Sequence, residues 1–223
     1  MNTPLATEIP SKGNRLRRAF RTQVGAILSS PVVYIALQRL VGSDRLRRLC
    51  LDRYLHLVPG EKVLDIGCGP GYILDFMPDV DFIGFDTEQR YIDYARRRYG
   101  DRGQFHCTTF TEEHVRQHGP FDAVMLMGIL HHLNDAESRN LLRLLTKCLS
   151  EKGRIVALDP CFTDSQSRIA RWMADHDRGQ FVRTSEGYAD LFTGLLTCRE
   201  TAVVSNTCRI PSTEIIHVLT LLP

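Results

Sequence analysis

From residue 62 onward, short apolar runs alternate with stretches in which apolar residues recur every three or four positions. The runs have the length and composition of buried strands, and the stretches between them have the period of amphipathic helices. The predicted strands are Lys62–Ile66, Asp81–Phe85, Gln104–Thr108, Asp122–Met127 and Arg154–Leu158. The predicted helices are a short one after Gly71, Thr87–Tyr99, about Thr111–His118, and one that Asn134 caps and Gly153 ends. Because strands joined through helices pair in parallel, we expect an α/β fold.

The C-terminal part of the chain departs from this alternation. After a predicted helical region from Ser165 to about Leu196, two strands follow at Thr201–Arg209 and Glu214–Leu221. The four residues between them are too few for a parallel crossover, so the two strands must form an antiparallel hairpin. We therefore expect a seven-stranded, mostly parallel sheet that ends in an antiparallel hairpin and carries helices on both faces.

Residues 1–57 precede the first strand and form a predicted helical extension to a domain of residues 58–223. Ser30 is the expected N-cap of a helix with Pro31 at its first position, which runs to about Val41. Ser43 caps a second predicted helix, from Asp44 to about His56.

The N-terminal extension is basic. Residues 1–60 hold ten Lys and Arg against three Asp and Glu, while the remainder holds 18 against 23. The arginines are Arg15, Arg17, Arg18, Arg21, Arg45, Arg47 and Arg48, besides Arg39 and Arg53. Three interpretations are open. The arginines form an ordinary solvated face, they belong to a lid over an anionic or lipid-like acceptor, with peripheral membrane contact also possible, or they contact nucleic acid. An overall pI near 8.2 disfavours a dedicated nucleic-acid binder.

The cysteines bear on compartment and metal. Seven are scattered without any Cys-x-x-Cys spacing, which argues against a disulfide framework or a zinc site and indicates a reducing cytosol. With no paired-carboxylate motif either, we predict that no metal is used. The apolar stretch from Val24 to Leu37 is too short and broken to span a bilayer, and no signal peptide is visible, so we expect a cytoplasmic protein.

The first strand leads into a glycine-rich loop, Asp65-Ile-Gly-Cys-Gly-Pro-Gly71. Glycines let the chain turn sharply and let backbone amides approach a ligand closely. A nicotinamide or flavin site needs a small residue where this chain has Tyr72, which is too bulky for close helix–strand packing. The spacing therefore disfavours a dinucleotide.

Val63-Leu-Asp-Ile-Gly-Cys-Gly-Pro-Gly71 resembles motif I of the class I S-adenosylmethionine-dependent methyltransferases, which have a Rossmann-like fold. The resemblance covers roughly residues 50–160 and implies S-adenosylmethionine as cofactor and S-adenosylhomocysteine as product. It implies that Asp65 orients the amino group of the cofactor. Its other implied contacts to the cofactor are Gly67, Cys68, Gly69, Gly71, Thr87 and Met127.

Two further positions bear on the nucleoside part of the cofactor. Asp86 ends the second strand, where the family places an acidic residue that accepts both ribose hydroxyls. Family members usually carry Asp after the third strand for the adenine amino group, and this chain has none there. Thr109 and the amide of Phe110 are the substitutes that we predict, with loop filler as the alternative for Thr109.

After the fourth strand stands Leu130-His131-His132-Leu133, which resembles a stretch of the ubiquinone and menaquinone C-methyltransferases. A histidine can accept an acceptor proton near neutral pH, so His131 and His132 are the candidate general bases, His131 first. The alternative is that one histidine packs against the next helix and the other caps it. After the fifth strand, Asp159, Arg178 and Arg183 are candidates for acceptor binding, the arginines toward a carboxylate or phosphate.

The sequence thus predicts an enzyme that methylates a small organic molecule at oxygen, carbon or nitrogen. A nucleic-acid methyltransferase is the second hypothesis, but the Asn/Asp-Pro-Pro-aromatic motif of amino-methylating DNA enzymes is absent after the fourth strand. A cofactor-binding protein without transferase activity is the third, because a glycine loop and Asp86 indicate binding and not turnover.

Overall fold

A sheet of eight strands forms the centre of the chain in the computed structural model, which describes residues 30–177 and 179–223. The strands are β1 Lys62–Ile66, β2 Asp81–Asp86, β3 Gly103–Cys107, β4 Phe121–Met127, β5 Leu149–Phe162, β6 Arg183–Thr184, β7 Leu196–Ser205 and β8 Thr213–Leu221. The α-helices are α1 Pro31–Val41, α2 Ser43–Leu49, α3 Gln89–Tyr99, α4 Glu112–His118, α5 Asp135–Cys148, α6 Arg168–Asp175 and α7 Ser185–Phe192. A π-helical turn, Cys50–Leu55, continues α2, and 3₁₀ turns lie at Tyr72–Phe76 and Leu130–His132.

The strand order is β3-β2-β1-β4-β5-β8-β7, and the short β6 pairs with the end of β5. Strands β1 to β5 run parallel, with Leu64 opposite Val124 at the centre, whereas β8 is antiparallel to both β5 and β7. The parallel sheet and the terminal hairpin predicted from the sequence are confirmed. Because the strand order reverses between β1 and β4, a crevice opens beyond their carboxyl ends, which is where ligands bind in sheets of this kind.

Alternate residues of each strand face two separate hydrophobic cores. Val63 of β1 packs with Leu46 of α2 and Ile92 of α3 on one face, while its neighbour Leu64 packs with Leu142 of α5 on the other. Helices therefore cover both faces, as predicted, and the central strands are buried on both sides.

The described part of the N-terminal extension belongs to this core. Leu46, Cys50 and Leu55 are buried together with Val63, and the Arg154 guanidinium donates to the carbonyl oxygens of Leu55 and His56. The domain limit predicted at residue 58 stays a prediction. Arg15, Arg17, Arg18 and Arg21 lie outside the described residues.

The predicted helical region Ser165–Leu196 is wrong. It contains α6, a loop, the short β6 and α7, and β7 already begins at Leu196. The loop leaves the helical path because the Phe181 N–H donates to the carbonyl oxygen of His131 at 2.9 Å and Arg183 pairs with Cys161 of β5. These are contacts with distant parts of the chain, which a local pattern does not contain.

Within the described ranges, no helix combines the length and the apolar character that a bilayer crossing requires.

Candidate active site

The glycine loop after β1 turns into the crevice through left-handed backbone conformations. Gly67, Gly69 and Gly71 have φ values of +74°, +56° and +72°, which side chains other than glycine rarely adopt. A Cβ atom on Gly67 would lie 2.1 Å from Cδ1 of Ile129, so this position also has no space for a side chain. The loop consequently presents bare backbone to the crevice.

Asp86, at the end of β2, is joined to this loop. Its Oδ2 accepts the Gly69 N–H at 2.9 Å, and its Oδ1 accepts the Glu88 N–H at 2.8 Å. Burial raises the pKa of Asp86, and the N–H groups of Glu88 and Gly69 offset part of that rise. Each carboxylate oxygen can accept a second hydrogen bond, so the predicted pair of ribose hydroxyls has acceptors here.

Asp65 is 4% exposed, and its Oδ1 has no hydrogen-bond partner among the described residues. Burial raises the pKa of this carboxyl well above its usual range, and the neighbouring charge of Asp86 adds to the rise. A buried carboxylate oxygen without a donor is costly. A small cavity of about 40 Å³ lies beside it and is also lined by Cys68 and by the Arg47 side chain. A bound ammonium group would supply the missing donor.

A cavity of about 740 Å³ continues from this point along the carboxyl ends of the strands. It is large enough for a nucleoside ligand. Of the predicted cofactor residues, it is lined by Gly67, Gly69, Asp86, Thr87, Thr109, Phe110 and Met127. Gly71 lines neither cavity and instead packs against Phe105 and Ala95. The part near Thr109 is apolar, because Phe85, Phe110 and Ile129 line it as well.

Another cavity, of about 390 Å³, lies next to the 740 Å³ cavity and is called the second cavity below. The residues that line both are Tyr34, Tyr91, Met127, Gly128 and His132. The second cavity's own lining comes from α1 and α2, from the segment after β4, from the end of β5, from the loop after α6 and from the start of β8. These residues include Gln38, Arg47, His131, Asp159, Asp177 and Glu214. A ligand in this cavity would lie next to one held by the glycine loop.

His131 is buried at the edge of the second cavity, between two carboxylates. Its Nδ1 lies 2.7 Å from Oδ1 of Asp159, and its Nε2 lies 3.1 Å from Oδ1 of Asp177. Burial disfavours the charged imidazolium, but hydrogen bonds to Asp159 and Asp177 outweigh burial and raise the pKa of His131 to about 9. In this conformation His131 is an imidazolium with both ring nitrogens occupied.

Of the other predicted residues, His132 is exposed and its ring centroid lies 4.1 Å from that of His131. Arg183 lines none of the three cavities described above, because its guanidinium donates hydrogen bonds to other parts of the chain. Its five hydrogen bonds go to the carboxylate of Asp135 and to the carbonyl oxygens of Leu130, Leu133 and Phe181. Arg178 lies outside the described residues.

The lining residues that were not predicted from the sequence include Tyr34, Arg47, Asp177 and Glu214. Arg47 was noted only as one charge in a basic stretch. Its guanidinium carbon lies 4.5 Å from the centroid of the Tyr72 ring. Tyr72, whose size disfavours a dinucleotide at this loop, therefore stabilises the Arg47 guanidinium by a cation–π contact. One signal in the sequence could have indicated its role: Arg47 lies close to the apolar Leu46 and Cys50, on the side of α2 that the helical period predicts to be buried.

Comparison with known proteins agrees with this site. Residues 63–153 match a family described as a methyltransferase domain. The ubiquinone biosynthesis O-methyltransferase of Chromobacterium violaceum is 31% identical over 93 residues, 40% of this chain and 40% of that protein. The malonyl-[acyl-carrier protein] O-methyltransferase of Acetivibrio thermocellus is 30% identical over 107 residues, 46% and 36% of the two chains. The chain thus spans about two fifths of the length of the curated relatives that it matches.

Solved structures share the fold at low identity. The mitomycin 7-O-methyltransferase has a TM-score of 0.63 at 15% identity, and the match covers 86% of this chain and 59% of that enzyme's chain. A methyltransferase of calicheamicin biosynthesis with bound S-adenosylhomocysteine has a TM-score of 0.62 at 19% identity, with coverage of 81% and 54%. A [4+2]-cyclase has a TM-score of 0.61 at 16% identity and covers 81% of each chain.

Proposed function

We propose that this chain, whose residues 63–153 form a methyltransferase domain of the class I S-adenosylmethionine-dependent family, transfers the cofactor's methyl group to a small organic acceptor. The observation that carries the proposal is the unpartnered oxygen of Asp65 beside the glycine loop, in the small cavity that shares Gly67, Gly69 and Met127 with the larger one. A ligand with a cationic amino group would satisfy Asp65 and extend into the larger cavity.

The residues present fit S-adenosylmethionine along its length. Asp65 would accept from the amino group, and Arg47, which lines the same small cavity, would pair with the carboxylate. Asp86 would accept from the ribose hydroxyls, and the apolar part near Phe110 and Thr109 would take the adenine. The bound cofactor supplies an activated methyl group on a sulfonium with a good leaving group.

The chain itself has to align the acceptor and accommodate its proton. Alignment follows from the second cavity, which shares Met127 and Gly128 with the first and is also lined by Tyr34 and Arg47. For His131 to accept a proton, Asp177 has to leave Nε2, because that nitrogen already faces a carboxylate. His132 is exposed in the cavity, which makes it the more accessible of the two candidate bases.

We propose a small molecule rather than a nucleic acid as acceptor. The second cavity, at about 390 Å³, has the size of a small-molecule site, and its lining combines the carboxyl groups of Asp159, Asp177 and Glu214 with Arg47 and His131 instead of the basic surface that a nucleic acid needs. Two of the relatives named above are O-methyltransferases, which supports oxygen among the three acceptor atoms that the sequence leaves open. The seven cysteines are all unpaired, which supports a reducing compartment such as the cytoplasm.

Calorimetry tests cofactor identity, and product release tests turnover. We expect S-adenosylhomocysteine to bind more tightly than NAD or FAD, and tighter binding of NAD would refute the proposal. Incubation with S-adenosylmethionine and a panel of small phenols, carboxylic acids and amines should then release S-adenosylhomocysteine with at least one acceptor class. Tight cofactor binding without release for any acceptor would instead support a non-transferase role, as in the [4+2]-cyclase of the same fold.

A further inference from the structure

We propose that His131, His132 and Asp177 form a binding site for one divalent first-row transition-metal ion at the edge of the acceptor cavity. Metal binding itself does not depend on the proposed function. Only the contact between the ion and an acceptor rests on it.

The three side chains have the spacing of a coordination shell. One donor atom from each, a ring nitrogen of either histidine and a carboxylate oxygen, lies within 4.8 Å of the others. Nε2 of His131 is 3.1 Å from Oδ1 of Asp177. Two ligands at about 2.1 Å from one ion, at an octahedral or tetrahedral angle, are roughly 3.0–3.4 Å apart. The pair therefore needs little movement to share an ion, which would take the place of the proton on Nε2 and release it to solvent.

Asp159 holds His131 in the orientation that a metal ligand requires. One carboxylate oxygen, Oδ1, lies 2.7 Å from Nδ1 and also accepts the backbone N–H of His131 at 3.1 Å. Asp159 is 2% exposed, so solvent water has little access to this contact. Metal-binding histidines commonly use a carboxylate in this way, which fixes the ring and leaves the other nitrogen for the ion.

The loop that carries Asp177 is fixed against His131. The Gly179 N–H donates to Oδ1 of Asp177 at 2.7 Å, and the Phe181 N–H donates to the His131 carbonyl at 2.9 Å. A Cβ atom on Gly179 would lie 1.9 Å from Cδ2 of His131, so only glycine permits this approach. The position of Asp177 is consequently defined by contacts on both sides of it.

The donor set determines the class of ion. Two imidazoles and one carboxylate favour Zn²⁺, Fe²⁺, Co²⁺ or Ni²⁺ over Mg²⁺ and Ca²⁺, which prefer oxygen ligands. Three protein ligands also leave coordination positions open. Because the site lines the second cavity, an open position faces the space proposed for the acceptor and would take an oxygen of that molecule. The sequence predicts no metal because it lacks a cysteine cluster and a paired-carboxylate motif, and neither pattern would reveal a site that joins two histidines to an aspartate far along the chain.

The test is a titration of chelator-treated, untagged protein with Co²⁺, followed by its visible absorption bands, and with Zn²⁺ by calorimetry. We expect one equivalent to bind. His132→Ala and Asp177→Asn should weaken binding more than Asp159→Asn, whose expected effect is about 10–100-fold. Matched controls are His176→Ala and Asp175→Asn, which change the same residue types next to Asp177 but outside the cluster and should bind as the wild type does.

Absence of Co²⁺ binding to the wild type would overturn the proposal, and so would binding that survives both His132→Ala and Asp177→Asn. Displacement of Co²⁺ by equimolar Mg²⁺ would show that the class of ion is wrong. Affinity for S-adenosylhomocysteine, measured on every variant, reports folding and separates the two proposals. Intact cofactor binding without Co²⁺ binding refutes the metal site alone, and Co²⁺ binding without cofactor binding refutes the proposed function alone.

Discussion

Replacing Asp65 with Asn should weaken cofactor binding and stabilise the protein without cofactor. Burial disfavours the Asp65 carboxylate, and its Oδ1 lacks a donor among the described residues. Asn is neutral and has nearly the same shape, so it removes the extra cost of burying a charge over that of a neutral polar group, which is on the order of 1–3 kcal/mol. The bound cofactor would lose a hydrogen bond between charged partners, about 1.5–3 kcal/mol, or roughly 10- to 150-fold in Kd.

The two effects also differ in their dependence on pH. Because the folded-state pKa of Asp65 lies above the unfolded value, the folded state retains its proton after the unfolded state has lost one. The contribution of Asp65 to stability therefore decreases as pH rises above about 3.9, the unfolded value. Asp65→Asn should remove that decrease, so its stabilisation should be larger at pH 7 than at pH 4.

Urea unfolding of the protein without cofactor, at both pH values, measures the stability term, and calorimetry with S-adenosylhomocysteine measures the binding term. Asp81→Asn is the matched control, because Asp81 is exposed at the opposite end of its strand from the crevice and should change neither quantity. An Asp65→Asn protein that binds S-adenosylhomocysteine as tightly as the wild type would remove Asp65 from the cofactor site. One that unfolds at lower urea concentration would contradict the account of its burial.

Three further predictions concern the cofactor site and the terminal hairpin. Asp86→Ala should weaken S-adenosylhomocysteine binding by about 1.5–3 kcal/mol, measured by calorimetry, and unchanged affinity in a folded variant would exclude the ribose contact. Gly67→Ala should lower the unfolding free energy by about 1–3 kcal/mol, because φ is +74° there, and a melting temperature equal to that of the wild type would contradict this. His217 is buried close to Cys198 and Tyr188, and burial lowers its pKa to about 4. As pH falls from 7 to 5, His217 becomes protonated in the unfolded chain but stays neutral in the folded one, so the free energy of unfolding should drop by about 2 kcal/mol. His217→Gln should abolish that drop, and a urea-unfolding series in which it persists would refute the assignment.

The sequence predicted β1 to β4 well because each is an apolar run bounded by turn residues. The predicted limits of β5 are wrong, because the strand begins at Leu149, inside the helix predicted to end at Gly153, and runs to Phe162. Strand β1 has the predicted limits, Lys62–Ile66, and the hairpin of β7 and β8 follows from the shortness of its connection. Gly67 and Asp86 line the cofactor cavity because motif spacing and strand ends are local properties of the chain. Binding roles at these positions stay predictions until a ligand is measured.

The acceptor side could not be predicted in the same way. Its residues converge from four distant parts of the chain, and contacts that no local pattern contains bring them together. Arg183 shows the difficulty, because its charge suggested an anionic acceptor whereas its guanidinium serves the carbonyl oxygens of Leu130, Leu133 and Phe181. Asp177 lay within a segment predicted as helix, and only the loop that replaced that helix brings it to His131.

The packing of α2 against the sheet has a consequence for how this domain can be divided. Arg47 lines both the small cavity and the second cavity, while its neighbour Leu46 lines the second cavity and also belongs to the hydrophobic core on that face of the sheet. A chain that begins at residue 58 would keep the glycine loop but lose one side of both cavities, and it would expose the apolar faces of Val63 and Ile216. Under the proposed function, acceptor selection and folding depend on the same few turns of helix. Changes of acceptor specificity that act through this segment are then constrained, because a residue such as Leu46 belongs to the cavity and to the core at once.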